Sequence, residues 1–561
     1  MHSWAAFVER DNLMDTVSRI AAFERVAGTK EEALAFDYIE RTLAAYGAET
    51  TRYLHKAFIS VPKGASLTVN GQDFFCRTHS HAANTGSLAA PIVEVDKKTM
   101  PEAECRGNIV MITGRAEREP LLLAGKRGAV GVVCVAGDVI CESCVTPVWG
   151  SPDHEELDLM PATPVVSIDA ASAAGIRELM TAGKAEAVIT ASVDHGWRDI
   201  PLLVAEIRPD ATRTDAFVMF SGHVDSWYYG ATDNGTANSV MMEVCRIAAA
   251  RKNELRRSLR IVFFSGHSQG RYAGSTWYCD SFWEDITENC VASINADVLG
   301  GMGAKELMSA CMPELRALVG AEVSAATGRT FTAMDYARAA DQSFWGTGAP
   351  CALASFSKQP PRGDGDTFPK GGNPALGWWW HTPQDTLDKI DPANFERDAK
   401  AFASVVHRLA VADILPLRYS AAAQRAIDNL AMWQEKTGDR LDLSLALARA
   451  RTLKAKLEAL EDAARNLDPA KIAVYNATLH AVGRVLVRIN YTRGNDFKND
   501  PAAAQPPMPS LRAAALLADA DDAMRNALLV ALTRGRTYVA YMLKQACAIV
   551  DQSGLLPEKT A

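Results

Sequence analysis

Short polar clusters hold the residues best suited to chemistry, and three of these clusters follow an apolar, strand-like run. In chain order the motifs are Ser-Gly-His223-Val-Asp225-Ser-Trp after AFVMF, Gly-Ala-Thr-Asp233-Asn-Gly-Thr, Ser-Gly-His267-Ser-Gln269-Gly after RIVFF, Asn295-Ala-Asp297 after VASI, and Trp380-His381-Thr-Pro-Gln-Asp385-Thr. Ligands of an open α/β sheet bind where parallel strands end and loops begin. Because histidines and carboxylates are ligands that zinc accepts, the clusters predict a metal site at that edge.

The elements around these clusters predict an α/β fold with a doubly wound, mostly parallel sheet. Strand-like runs alternate with helical stretches from 201 to 414, which marks the metal-binding catalytic domain. Residues 1–61 are helical at first, with Thr29 placed to cap the second helix, and form the N-terminal part of that domain. Residues 62–200 are β-rich and predict a small, separate inserted domain, while 415–561 predict a helical domain. The Gly/Pro-rich stretch 361–377 is a candidate lid or pocket loop.

Composition narrows the class of protein. A chain of 561 residues is too long for one core and predicts about three or four domains. The net charge of −8 and the lack of a basic block exclude nucleic acid as an expected partner. No apolar run approaches the roughly 18 residues of a membrane span, and the first twenty residues lack the apolar core of a signal peptide. With eleven cysteines in no framework, we expect a cytoplasmic protein.

The ordered motifs resemble the co-catalytic zinc aminopeptidase and glutamate carboxypeptidase family. The matching pattern is His-x-Asp, then Gly-Ala-x-Asp-Asn-Gly, a strand end, Asn-x-Asp and a late His-Thr. Residues 62–200 look like the protease-associated domain of larger members, and the C-terminal helices look like the transferrin-receptor-like dimerisation domain. The resemblance therefore implies a homodimer and one or two Zn²⁺ ions or another divalent metal.

The resemblance also implies roles for individual residues. His223 and Asp297 would hold the first metal, Asp233 would bridge two metals, and His381 would sit on the second. Asp225 lies two residues from His223, on the same side of an extended segment, and would accept that histidine's other N–H.

This chain departs from the family where the general base and a metal carboxylate are expected. In place of the family's Glu-Glu pair it has Gly266-His267-Ser268-Gln269-Gly270, and Trp380 replaces a tyrosine that stabilises the oxyanion. His267 is thus a candidate second-site ligand, a candidate acid or base, or a structural residue. Gln269 cannot ionise, so it can only orient water or substrate.

Further residues are candidates for substrate binding. Arg271 and Tyr272 are suited to binding a substrate carboxylate or an oxyanion. Gln342 replaces the histidine of a Ser-Asp-His-x-x-Phe stretch that lies near the family's site. The run Trp378–Trp380 would wall an apolar pocket or pack in the core. Cys141 and Cys144 are expected to be two loop thiols, and the histidines of 62–200 are expected on surfaces or loops.

The function that these features predict is a metallopeptidase-like hydrolase. It would cleave an amide bond of a small peptide or acylated amino acid, through attack by hydroxide on the metal, with an altered general base. Two alternatives stay open: non-peptide chemistry on the same scaffold, and a degenerate binding or scaffold protein. Retention of charged groups at a sheet edge, where desolvation is costly, argues against the second.

Overall fold

The structure is a computed structural model that describes residues 3–210, 214–336, 338, 340–353, 355–361, 369–370, 373–502 and 504–556. Its strands are β1 Glu49–Val69, β2 Gln72–Phe74, β3 Arg77–Thr78, β4 Thr85–Glu94, β5 Ile109–Thr113, β6 Gly131–Val135, β7 Val165–Ile168, β8 Glu186–Ile207, β9 Phe217–His223, β10 Ser258–Phe264, β11 Cys290–Asn295, β12 Glu306–Ala310, β13 Thr332–Met334, β14 Cys351–Ala352 and β15 Ser357–Lys358. Its α-helices are α1 Arg10–Ile20, α2 Lys30–Tyr46, α3 Glu102–Cys105, α4 Arg118–Lys126, α5 Ala170–Ala182, α6 Thr236–Ala250, α7 Ala273–Ser281, α8 Trp283–Asn289, α9 Pro313–Thr327, α10 Pro392–Val411, α11 Tyr419–Thr437, α12 Ser444–Ala463, α13 Ile472–Tyr491 and α14 Asp522–Gln552.

Four parallel strands, in the order β14-β11-β9-β10, form the part of the sheet that positions the polar clusters. In their register Phe264 at the end of β10 pairs with His223 at the end of β9, and Asn295 of β11 pairs with Ser221. The three clusters that follow these strands therefore emerge at one edge of the sheet. This arrangement confirms the predicted α/β class.

Helices cover both faces of this sheet. Helices α1, α2, α6 and α10 bury apolar residues in one large cluster, and α7 and α8 contribute to a second cluster that includes Phe217, Phe264 and Phe344. Helix α2 begins as predicted: the Thr29 side chain accepts a hydrogen bond from the N–H of Glu32, and the Glu32 carboxylate accepts one from Gly28. Satisfying the first N–H groups in this way fixes where the helix starts.

The inserted region is less separate than the sequence suggests. Strands β1 and β8 are 21 and 22 residues long and pair along almost their whole length. β1 continues through the expected boundary at 61/62, with a register shift between Pro62 and Gly64, and β8 continues through the one at 200/201. The strands of the inserted and catalytic regions therefore form one hydrogen-bonded path. The region still has apolar clusters of its own, and its strands β4 to β7 are parallel with helices between them.

The C-terminal region is helical as expected, but it shares the core of the catalytic region. Leu430, Leu453 and Leu543 belong to the same buried cluster as residues of α6 and α10. In the described part of the chain no helix has the length and apolarity needed to cross a bilayer. Of the expected lid, 362–368 and 371–372 lie outside the described residues, so the lid stays a prediction.

Candidate metal centre

Two histidines converge on the carboxylate of Asp233, which lies just before α6. His223 Nε2 is 3.2 Å from Asp233 Oδ1, and His381 Nε2 is 3.1 Å from Asp233 Oδ2. His223 Nε2 also lies 3.4 Å from Asp297 Oδ1. The structure thus brings together the four residues for which the resemblance implies metal ligation, with Asp233 between the two histidines.

The electrostatics of this cluster suit a cation. Burial by itself lowers the pKa of His223, but the contacts with Asp233 and Asp297 outweigh burial and raise it well above the ordinary value. Burial likewise raises the pKa of Asp233, but the two histidines outweigh this and hold it well below the usual range. His223 Nε2 and Asp297 Oδ1 are buried without a hydrogen-bond partner in the described part of the chain. Since buried polar atoms are rarely left without a partner, these two atoms are suited to be ligands of a metal ion.

Neighbouring groups fix the orientation of His223 and Asp233. The backbone carbonyl of Asp225 accepts a hydrogen bond from His223 Nδ1 at 2.8 Å, which leaves Nε2 facing Asp233. Asp225 is the partner that the sequence predicts, but the accepting atom is its backbone carbonyl oxygen, because the Asp225 carboxylate is 3.8 Å away from Nδ1. The Asp385 carboxylate accepts hydrogen bonds from the N–H groups of Thr232 and Asp233. Outer contacts of this type orient metal ligands.

The Asp225 carboxylate instead fixes the turn after β10. It accepts hydrogen bonds from the N–H groups of His267 and Ser268, at 3.1 and 2.8 Å. Asp225 is therefore a positioning residue, and its carboxylate is not exposed to the cavity. The turn that it holds presents His267, whose ring stacks on that of His223 with centroids 3.7 Å apart.

The inserted region supplies the partner that orients His381. His381 Nδ1 donates to the backbone carbonyl of Glu142 at 2.9 Å, and the Glu142 N–H donates to the carbonyl of His381. Glu142 lies between Cys141 and Cys144, so the expected pair of loop thiols frames a segment that contacts the site. Sequence spacing gave no signal for this contact, because more than two hundred residues separate its partners.

Arg25 is a second contributor that the sequence did not reveal. Its buried guanidinium donates to five backbone carbonyls, and three of these, Val224, Tyr229 and Gly230, belong to the segment between His223 and Asp233. Burial lowers the pKa of Arg25 to about 10. Three of its five hydrogen bonds therefore hold the segment between the candidate ligands His223 and Asp233.

Two residues expected to meet water or substrate do not reach the cavity. The Gln269 amide accepts from the N–H of Ala27 and donates to the carbonyl of Ser226, so both ends are used by backbone groups. Gln342 is buried and donates to the carbonyl of Leu353. The predicted catalytic role of Gln269 and substrate-binding role of Gln342 are therefore corrected to structural roles.

A cavity of about 240 Å³ opens on the candidate metal ligands. Arg271, Tyr272 and Trp380, the remaining expected substrate-binding residues, line it together with Asp233, Asp297, His267 and His381. Trp380 stacks on His381 at 3.4 Å between centroids, whereas Trp379 is buried. The tryptophan run is thus divided between a cavity wall and the core. At the described end of the expected lid, Asn373 and Leu376 also line the cavity.

A larger cavity of about 670 Å³ adjoins the first one and shares Cys144, Arg271, Trp380 and His381 with it. His79 and His81 lie in loops as expected, but both are buried, and His81 Nδ1 lies 3.1 Å from the sulfur of Cys144. His79 Nε2 lies 2.6 Å from the Ser167 hydroxyl, and the N–H of His81 donates to the Ser60 hydroxyl. His154 is exposed, as expected.

Parts of this chain are similar to known proteins. Residues 203–406 match the model of peptidase family M28. Over 91 residues, which are 16% of this chain and 12% of the relative, the chain is 32% identical to aminopeptidase NAALADL1 of Mus musculus. The match thus spans only a small part of that protein's length.

Two solved structures share the fold. The aminopeptidase from Aneurinibacillus sp. strain AM-1 is 22% identical, with a TM-score of 0.56 over 72% of this chain and 95% of that one. A zinc aminopeptidase from Bacillus subtilis is 20% identical, with a TM-score of 0.56 over 72% of this chain and 96% of that one. These likenesses confirm the overall fold.

Proposed function

Because residues 203–406 of this chain match the model of peptidase family M28, we propose that the protein is a metal-dependent hydrolase that cleaves an amide bond in a small peptide or an acylated amino acid. The observation that carries the proposal is the buried donor set at the sheet edge. His223 Nε2 lies beside the carboxylates of both Asp233 and Asp297. Neither His223 Nε2 nor Asp297 Oδ1 has a hydrogen-bond partner among the described residues, and a cation would satisfy both atoms. We propose zinc as the native ion, because imidazole and carboxylate ligands suit it.

In this proposal His223, Asp233, Asp297 and His381 supply ligands for the metal site. A divalent ion bound by such ligands polarises a carbonyl and makes a water molecule acidic. Trp380 and Tyr272 line the cavity beside the ligands and exclude bulk water from the scissile bond, while Arg271 orients the substrate from the mouth that joins the two cavities. No glutamate lines the smaller cavity among the described residues, so the family's general base has no counterpart there.

Metal content and amide hydrolysis together test the proposal. We expect protein purified without added metal to hold tightly bound zinc and to cleave members of a panel of dipeptides and N-acylated amino acids. His223→Ala and Asp297→Ala should lose both the metal and the activity, whereas the exposed His154→Ala, a matched histidine control, should keep both. Normal folding of the two ligand variants is checked by circular dichroism. Wild-type metal content in both of them would show that the site is misassigned.

A stoichiometric amount of metal without hydrolysis of any amide would favour the alternative of non-peptide chemistry. The cytoplasmic location and the homodimer belong to the same proposal. They are supported by the apolar and cysteine patterns of the sequence and by the family resemblance of the helical region.

A further inference from the structure

The missing Glu-Glu pair leaves His267 as the ionisable side chain on the turn after β10, and this histidine has a dedicated partner. His267 Nδ1 lies 2.9 Å from Oδ2 of Asp341, and only 1% of the Asp341 side chain is exposed. The two residues are 74 positions apart in sequence. A carboxylate on one imidazole nitrogen fixes the tautomer and leaves the other nitrogen free to bind.

The remaining contacts of the His267 ring direct it toward the first metal ligands. Its ring lies parallel to that of His223, with an interplanar angle of 15°, and the Tyr272 ring meets it edge-on. Ligand atoms of His223, His267 and Asp297 all lie within 4.8 Å of one another. These three residues therefore form a compact set of two imidazole nitrogens and one carboxylate oxygen.

We infer that His267 is a third protein ligand of the ion held by His223 and Asp297, and that Asp341 is the positioning residue that aims it. The inference rests on the proposed metal function and deepens it by assigning the ligand set. It also changes the expectation from the sequence, in which His267 would complete a second site with His381. The ring stacks on His223 and belongs with that histidine's ion.

The ligand set points to one ion per chain. If His267 binds the same ion as His223 and Asp297, the metal ligands left for a second ion among the described residues are Asp233 and His381. Two ligands are too few, because catalytic zinc usually has three protein ligands. The carboxylates of the whole set are Asp233 and Asp297, whose two negative charges balance one divalent cation. A second cation in this buried site would lack a compensating ligand charge.

The segment that carries Asp341 is anchored to two other parts of the chain. The hydroxyl of Ser343, two residues after Asp341, accepts a hydrogen bond from Trp149 of the inserted region and lies 2.9 Å from the hydroxyl of Ser275 on α7. The other oxygen of Asp341, Oδ1, is buried without a hydrogen-bond partner in the described part of the chain. Burying a carboxylate with only one hydrogen-bonded oxygen costs free energy. A role in orienting a metal ligand would explain why Asp341 is buried here in spite of that cost.

Metal titration tests the assignment without relying on activity. Protein stripped with a chelator is titrated with Zn²⁺ and, separately, with Co²⁺, whose visible absorption reports the ligands. We expect one ion per wild-type chain. His267→Ala and His267→Gln should weaken metal binding by about 100-fold or more and shift the cobalt absorption bands. For His267→Ala, added imidazole should restore part of the metal affinity and part of the wild-type cobalt spectrum. Asp341→Asn should weaken binding by roughly 10- to 100-fold.

A matched control separates a metal effect from the cost of altering a buried carboxylate. Asp398 is fully buried on α10, where it accepts hydrogen bonds from Ser357 and Gly300. Asp398→Asn should leave the stoichiometry, affinity and cobalt spectrum unchanged. Wild-type affinity in both His267 variants, or two ions per wild-type chain, overturns the His267 assignment, and wild-type affinity in Asp341→Asn overturns the role of Asp341. If the wild type binds no divalent metal, the proposed function fails as well.

Discussion

At the residue scale, several side chains serve a partner different from the one that their spacing suggests. Asp225 shows this most clearly, because its carbonyl orients His223 while its carboxylate holds the turn of His267. Arg271 differs from Asp225, because its buried Nε has no hydrogen-bond partner in the described part of the chain. Burial and the nearby charge of Arg271 both lower the pKa of Arg118. The two arginines thus create positive potential at the cavity mouth.

Replacing Arg271 tests its role in substrate binding. We expect Arg271→Gln to raise KM about 10-fold or more for a substrate with a carboxylate next to the scissile bond, because a charge-assisted hydrogen bond is lost. KM for the isosteric amide substrate should change little. Steady-state kinetics on Glu- and Gln-containing peptide pairs measure the difference.

Arg425→Gln is the matched control. Arg425 is already paired with Asp335, which also binds Arg316, so its loss should not alter the preference between the two substrates. Equal effects of Arg271→Gln on the carboxylate and amide substrates would contradict the predicted contact.

At the element scale, helix α9 begins with a buried carboxyl group. Glu314 is 1% exposed, and both of its side-chain oxygens lack a hydrogen-bond partner among the described residues. Burial raises the pKa of Glu314 to about 7 from an ordinary 4.5. Helix α9 packs against α11 of the helical region, and the backbone carbonyl of Glu314 accepts a hydrogen bond from Arg418 just before α11. The start of this helix is therefore sensitive to pH.

The sign of the pH effect follows from the raised pKa. The folded state binds the Glu314 proton more tightly than the unfolded state does. The contribution of this proton to the free energy of unfolding is therefore fully present below pH 4.5 and is lost as pH rises through 7. Glu314→Gln, which cannot ionise, should raise the melting temperature at pH 8 and change it little at pH 4.5. The corresponding change in the free energy of unfolding between the two pH values is about 3 kcal/mol at most.

Melting curves at the two pH values measure this effect, with Glu306→Gln on the exposed start of β12 as the control. A melting temperature of Glu314→Gln below that of the wild type at pH 8 would be incompatible with an unpaired ionised carboxylate at this position.

At the scale of the whole molecule, apolar residues of the catalytic and helical regions lie in one shared buried cluster. Leu430, Leu443 and Leu453 of the helical region are buried within this chain, whereas Leu445 is 58% exposed. Most of these leucines therefore pack inside the chain, and the surface left for a second copy lies elsewhere on the helices. Val530 and Tyr541 of α14 are more than half exposed and are three helical turns apart on one face.

We predict a homodimer joined through the helical region after residue 415. Light scattering at micromolar concentration should give the mass of two chains, and the double variant Val530→Glu/Tyr541→Glu should give the mass of one chain while keeping its metal. Leu54→Glu, at an exposed site on β1, is a control that should stay dimeric. A monomeric wild type would overturn the prediction, and a dimeric double variant would place the interface on another face.

The sequence by itself determined the strand–helix order, the start of α2 and the four ligand candidates His223, Asp233, Asp297 and His381. These features depend on local patterns: apolar runs that end in polar clusters, caps, and motifs with a fixed order. The register of β9, β10 and β11 then brings three of the clusters to one edge, as the rule for parallel sheets predicts.

The tertiary structure alone decided which atoms meet at the site. Glu142, Arg25 and Asp341 contact residues that are 239, 199 and 74 positions away, and no periodicity within a segment encodes such pairs. Packing also places the side-chain amides of Gln269 and Gln342 against backbone groups and not at the expected site. Sequence could not show this, because a side-chain amide can form hydrogen bonds equally well with water or with buried backbone groups. The type of a residue fixes what it can bind, but only packing brings a particular partner within reach.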